Sequence, residues 1–214
     1  DLQGAFNINS FKYYDNSPIQ GELDDFEKIG FAKVWLNLLE LLSIPVNPGR
    51  VYAIKDWIDA DDSAGSWGAE QADYEGLENS MVVYNDLFVS SSELSAVMGY
   101  TIEEVNKLMP WLSALPFQTP ININTASVEI LNSLSGNYGP AFIEAVLSGR
   151  PFSNVNDFYN QINEYLALWD PIKPGVGRAN LIWPQHLISV NSDFFKLYLE
   201  AEIGEAKMEL TSLL

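Results

Sequence analysis

The sequence predicts an α+β protein in which an all-helical stretch is inserted between an N-terminal part and closing strands. Three observations carry that prediction. From Asp24 to Ile162 apolar residues recur mainly at spacings of three, four and seven, the pattern of one helix face. After Ser189 they alternate, Phe195, Leu197, Leu199, Ala201 and Ile203 falling between Lys196, Tyr198, Glu200 and Glu202. Between these regimes the Pro and Gly residues at 171, 174, 175 and 177 break all periodicity. The chain divides accordingly into 1–88, 89–182 and 183–214, with the outer two segments forming one domain around the middle one.

Taken in order, DLQGAFNINSF opens the chain with an alternation of Phe6 and Ile8 with Asn7 and Asn9, which suits a short extended segment on a core. Asp24 or Asp25 caps a helix whose stripe is Phe26, Ile29, Trp35, Leu38, Leu39 and Leu42, and Pro45 and Pro48 forbid its continuation. Val51 to Ile58 form a second helix. Two capping boxes, Ser90 with Glu93 and Thr101 with Glu104, start two short helices separated by Gly99, and Pro110 kinks the end of the second. Beyond the linker Pro116 to Pro120, Asn124 or Thr125 caps a helix carrying Ile130, Leu131 and Leu134. Gly136 to Gly139 form a hairpin, Pro140 begins a helix ended by Gly149, and Ser153 caps another with Val155, Phe158 and Ile162 inward. In the closing strands the apolar parity flips at Gly204, which marks a bulge or a hairpin turn.

One stretch concentrates the charge. DWIDADDSAGSWGAEQAD, Asp56 to Asp73, holds six carboxylates in eighteen residues and no Lys or Arg. Gly65 and Gly68 let the backbone turn back and bring Asp59, Asp61, Asp62, Glu70 and Asp73 towards one point. Asp59 and its neighbours follow the C-terminal end of the Val51 to Ile58 helix, whose partial negative charge disfavours carboxylates unless a cation offsets them. Hard oxygen ligands in a flexible loop suit Ca²⁺, which takes six to eight oxygens, better than zinc. Asp59, Asp61, Ser63 and Glu70 fall at the first, third, fifth and twelfth places of an EF-hand loop, but the sixth place is Ala64 and two matched flanking helices are absent, so the loop is not an EF-hand. Trp67 and Tyr74 lie in this loop and are candidates for shoring it up or touching a partner.

Composition excludes other functions. With 214 residues and 47% apolar content the chain builds a substantial core, and with net charge −18 and pI near 4.1 it is ill-suited to a polyanion. No cysteine is present, so neither thiol catalysis nor a disulfide enters. No apolar run approaches about eighteen residues and no basic stretch precedes an apolar one, so the sequence as given is expected neither to span a membrane nor to carry a signal. A His-based triad would have to use His186, the only histidine, and no GxxxxGK, GxSxG or HExxH occurs, so no enzyme is expected. An acidic hydrolase using two loop carboxylates is the remaining catalytic alternative.

ININTAS through FSNVNDF resembles the helix-hairpin-helix module, whose hairpin presents backbone N–H groups to nucleic-acid phosphate. That gives a second alternative, a nucleic-acid-binding module. Against it, the stretch from Ser90 to Asn180 carries four Lys or Arg and eight Asp or Glu, and none of the cations stands beside the hairpin.

The order of motifs is more specific. DLQGAFNIN, DWIDADD followed by GAEQADY, SSSEL, the ALP linker, PININTAS and SVNSDFF together resemble the GspK-type minor pseudopilins of bacterial type II secretion systems. The resemblance implies a pilin-like α/β domain, 1–88 and 183–214, interrupted by an all-α insertion, 89–182, containing helix-hairpin-helix-like units. It implies a periplasmic location at the bacterial inner membrane, with an N-terminal membrane helix outside this sequence. The role implied is non-catalytic: a place at the pseudopilus tip with I-type and J-type minor pseudopilins in support of export across the outer membrane, with secreted cargo or the outer-membrane secretin as further candidate partners. It also implies Ca²⁺ binding at the DADD and GAE positions, Asp59, Asp61, Asp62 and Glu70, with Asp73 beside them.

Overall fold

A computed structural model describes residues 1–13, 30–65, 67–77, 82–135, 139–169, 183, 185–204 and 206–214. Strand β1 is Phe6–Asn7, and a 3₁₀ turn, Ile8–Tyr13, follows it at once. The expected alternation fails here because Phe6 to Phe11 are all buried, so the segment threads the core instead of lying on its surface. Helix α1 is Phe31–Leu41, with Gly30 before its first residue; Asp24, Asp25, Phe26 and Ile29 lie outside the described residues. Trp35 is fully buried on it and donates its Nε1–H to Tyr100 Oη at 3.0 Å.

Helix α2, Pro48–Ile58, begins three residues before the expected Val51. Pro48 does not merely end what precedes it. A proline at the first helical position loses no intrahelical bond and is preset in φ, and Asn47 Oδ1 caps the turn by accepting the Gly49 N–H at 2.8 Å. A short helix α3, Gln71–Glu75, was not anticipated. Both expected capping boxes form, at Ser90 with Glu93 and Thr101 with Glu104, but the first opens a 3₁₀ segment, Ser91–Ala96, and only the second an α-helix, α4, Ile102–Leu108. Gly99, between them, has φ +88°. At Pro110 the chain tightens into 3₁₀ geometry, Met109–Trp111, and passes into β2, Leu112–Ser113.

Strand β3, Ile121–Asn122, leads to α5, Val128–Ser135, then α6, Gly139–Gly149, and α7, Val155–Trp169. The caps sit further along than the sequence reading placed them. Ser127 Oγ accepts the Ile130 N–H at 3.2 Å, and Asn154 Oδ1 accepts the Asp157 N–H at 2.9 Å. Asn124 is free of the capping role because its side chain is engaged elsewhere. Residues 136–138 of the expected hairpin lie outside the described residues, as do the Pro and Gly positions 171–177.

Strands β1 and β2 pair in parallel, Phe6 opposite Leu112, and β3 pairs in parallel with β4, Ile188–Ser189. These two small pairings belong to a repeated device. In FNIN, Asn7 Oδ1 accepts the Asn9 N–H at 3.1 Å, while Asn9 donates to the carbonyls of Phe88 and Leu115 at 2.9 and 3.1 Å and accepts the Phe88 N–H at 2.9 Å. In ININ, Asn122 Oδ1 accepts the Asn124 N–H at 2.9 Å, while Asn124 donates to the carbonyls of Phe152 and Val190 at 2.9 and 3.0 Å and accepts the Phe152 N–H at 2.8 Å. Each second asparagine thus ties three segments through their backbone groups, in buried bonds at Asn9 and part-buried ones at Asn124, which is how such an amide is satisfied.

An aromatic nucleus stands beside each clasp: Phe6, Phe11 and Trp35 in one, and Phe142, Phe158 and Trp183 in the other. α1 packs against α5, so both nuclei join one buried cluster running from Phe6 to Val190.

Strands β5, Lys196–Ile203, and β6, Ala206–Leu213, form the expected antiparallel hairpin, with Gly204 at φ +64° making the turn. Phe195, Leu197, Leu199, Ala201 and Ile203 share a face with Met208, Leu210 and Leu214, and every residue of β5 is exposed. The hairpin therefore stands off the core, joined to it where Leu2 donates to the Phe194 carbonyl and Gln3 Oε1 accepts the Phe194 N–H.

Candidate metal centre

The site is built where α2 ends. Asp59 leaves the helix in extended geometry while its N–H still bonds the Lys55 carbonyl at 2.9 Å, so its side chain begins the loop. Asp61 Oδ1 accepts the Ser63 N–H at 2.9 Å and turns the chain. The loop then folds back onto Asp56, a buried residue on α2. Asp56 Oδ2 accepts the Gly65 N–H at 3.0 Å, and the Gly68 backbone passes so close that a β-carbon there would lie 1.7 Å from the same oxygen. Beyond it Glu70 is buried, 3% exposed, immediately before α3.

One oxygen each of Asp59, Asp61 and Glu70 lie within 4.8 Å of one another. Oxygens bound to one Ca²⁺ at about 2.3–2.6 Å are at most about 5 Å apart, so the three stand at about the spread of one ion's ligands. Both Glu70 carboxylate oxygens and Asp59 Oδ1 are buried with no hydrogen-bond partner. An unsatisfied buried carboxylate is costly, and these unpartnered oxygens belong to two of the three carboxylates that converge here.

The charge balance says the same. Burial, then Asp56, Asp59, Asp61 and Asp62, push the Glu70 carboxyl up to about 7. Burial, then the neighbouring Asp61, raise Asp59 above its ordinary value, and burial raises Asp56 despite the Gly65 N–H. Two like charges this far apart repel by about 1 kcal/mol in water and about 3 kcal/mol at an effective dielectric of 20. Asp61 is exposed and belongs near the lower figure, whereas the pair of Asp59 and Glu70 belongs nearer the higher. Against a net folding stability of about 5–15 kcal/mol the cluster must be relieved by a proton or a cation. The donor set, carboxylates alone, fits a hard cation such as Ca²⁺.

The other two expected ligands sit differently. Asp62 is exposed, and its Oδ1 accepts from Asn85 Nδ2 at 3.2 Å. Asp73 is exposed, and its Oδ2 accepts the Glu70 N–H at 2.9 Å, which fixes the Glu70 backbone at the start of α3. Trp67 is 71% exposed, whereas Tyr74 is buried edge-on against Trp57 and accepts the Met98 N–H at 2.9 Å, so Tyr74 is the aromatic that braces the loop.

Sequence reasoning did not single out Asp56 as the hub or Asn85 as a contact. The nearest signal for Asp56 was its place opposite two glycines, and for Asn85 its polar setting among Val82, Val83, Tyr84, Leu87 and Phe88.

Two family models, both of type II secretion system protein K, match in succession over residues 4–117 and 121–165. The gap between them falls in the linker between the two asparagine clasps.

Protein K of Aeromonas hydrophila is 31% identical over 222 aligned residues, covering all of this chain and 64% of that protein. Protein K of Pectobacterium carotovorum is 26% identical, again over the whole of this chain and 63% of the relative. This chain thus spans just under two thirds of the length of these relatives. In fold it is similar, at TM-score 0.71 and 23% identity, to a chain of the crystal structure of the GspK-GspI-GspJ complex from enterotoxigenic Escherichia coli, covering all of this chain and 71% of that one. With the first model alone spanning more than half the sequence, this chain belongs to the type II secretion system protein K family.

Proposed function

We propose that this chain is the periplasmic part of a tip minor pseudopilin that binds Ca²⁺ through Asp59, Asp61 and Glu70, with Asp62 and Asp73 supporting them, and that assembles with I-type and J-type minor pseudopilins. The observation that carries the calcium reading is the buried Glu70 carboxylate, both oxygens unpartnered, converging with Asp59 and Asp61. Ca²⁺ at that point offsets the repulsion and fastens the loop to α2. By mass action it stabilises the folded chain and the surfaces the loop supports.

The assembly reading is supported by the solved complex that this fold resembles, in which GspK is joined to GspI and GspJ. The exposed hairpin belongs, on this reading, to a pilin-like domain of which residues 1–88 are the other part, with 89–182 as an insertion that is mainly but not wholly helical, since its β2 and β3 pair with β1 and β4. No helix among the described residues is long and apolar enough to cross a membrane. The role is structural: the chain helps to build the pseudopilus tip that supports export.

The test is to mix the chain with candidate I-type and J-type pseudopilins, with Ca²⁺ and with chelator, and to follow elution. A 1:1:1 complex that forms in Ca²⁺ and weakens in chelator is expected. Separate elution in Ca²⁺ would contradict the assembly reading.

A further inference from the structure

Asn85 is not acidic and was not among the expected ligands, yet its contacts join the acidic loop to the core. Its Nδ2 donates to Asp62 Oδ1 at 3.2 Å and reaches the Asp61 carbonyl at 3.4 Å. Its backbone has φ +51°, which Asn tolerates better than other non-glycine residues but still at a cost. Its Oδ1 is buried with no partner, a second cost. Three residues on, both backbone groups of Phe88 are held by Asn9, its N–H to Oδ1 and its carbonyl from Nδ2, each at 2.9 Å. Between them Asp86 caps the Leu87 N–H at 2.7 Å and pairs with Lys12 at 3.5 Å. A short, continuously bonded segment thus runs from the carboxylate loop to the first asparagine clasp.

We propose that Asn85 is a positioning residue that couples the metal loop to this clasp: by gripping Asp61 and Asp62 it aims the Asp61 carboxylate inward, and it passes the ordering of the loop on to Phe88 and Asn9. The inference rests on the calcium reading and extends it to a residue outside the three proposed carboxylate ligands. Residues that orient ligands in this way typically contribute about 10–100-fold to metal affinity.

The test uses Asn85→Gly, which suits a positive φ and deletes only the side chain, together with Asp62→Ala and the double variant. Ca²⁺ titration and amide hydrogen exchange at saturating Ca²⁺ are the readouts, and melting of the metal-free proteins checks folding. In the parent, Ca²⁺ slows exchange at the Phe88 amide. In Asn85→Gly, affinity falls about tenfold or more, and the added protection at Phe88 is lost even at saturation. The double variant loses no more affinity than the worse single one, because one contact is removed from either end. Parent-like affinity in Asn85→Gly, or weakened affinity with the Phe88 protection intact, would overturn the coupling while leaving the calcium site standing. If Asn85→Gly does not fold without metal, Asp62→Ala alone decides by the Phe88 readout. A parent chain that shows no response to Ca²⁺ would instead remove the calcium reading, and the coupling with it.

Discussion

Gly68 and Asp56 are in such close approach that any side chain at position 68 would occupy the place of the Asp56 Oδ2 atom, 1.7 Å from an added β-carbon. The loop returns to α2 only because that residue has no β-carbon. Gly68→Ala must therefore move backbone or break the Asp56 to Gly65 bond. It is expected to cost about 1–3 kcal/mol in metal-free stability and to weaken Ca²⁺ binding, read by thermal melts and titration. Gly76→Ala, where the nearest atom to an added β-carbon is 4.0 Å away, is the control and should change neither.

Glu70 gives a pH dependence with a definite sign. Its carboxyl is raised from 4.5 to about 7 in the folded chain, so between these values the folded state holds more protons than the unfolded one. Metal-free stability from this group is present below about 4.5 and is lost as pH rises to about 7. Ca²⁺ reverses the trend, because it takes the deprotonated carboxylate. Affinity should weaken as pH falls below about 7, and calorimetry in buffers of different ionisation heat should detect proton release at pH 6 that vanishes at pH 8.5. Glu70→Gln should melt higher than the parent in chelator at pH 8, and should lose the rise on adding Ca²⁺.

The asparagine clasps should behave alike. Asn9→Ala and Asn124→Ala each strand two carbonyls and one N–H of other segments. At about 1–3 kcal/mol for each stranded buried group, partly relieved by water, each variant should lose several kcal/mol and shift its denaturant midpoint without a change of slope. A loss below about 1 kcal/mol at either site would mean that solvent replaces the amide there.

The hairpin should be the opposite case. Leu199 and Leu210 face each other across β5 and β6, and both are about half exposed. Leu199→Ser should therefore alter the melting of this chain by less than about 1 kcal/mol, although leucine in the core would cost several times that.

What the sequence made legible was local. The two capping boxes, the turn at Gly204 and the convergence of Asp59, Asp61 and Glu70 depend on residues within about a dozen positions of each other, and the backbone alone brings these together. Helix α2 starts at Pro48 rather than at the expected Val51 because a proline that bars the preceding helix from running on also fits the first position of the next. The cap of α5 falls at Ser127 because Asn124, an equally good cap, is used by Phe152 and Val190, partners that no local pattern reveals. The likeness of FNIN to ININ was on the page as letters, but its meaning is three-dimensional: each second asparagine reaches segments at least twenty-eight residues away. Asn85 escaped for the same reason, since it touches a loop twenty-three residues behind it.

The most direct measurement is a crystal structure of this chain grown at pH 8 with Ca²⁺. The account predicts one ion within about 2.3–2.6 Å of oxygens from Asp59, Asp61 and Glu70, with the Asp56 to Gly65 contact retained. Density showing those three carboxylates turned apart, with Glu70 hydrogen-bonded as a neutral acid and no ion among them, would contradict it.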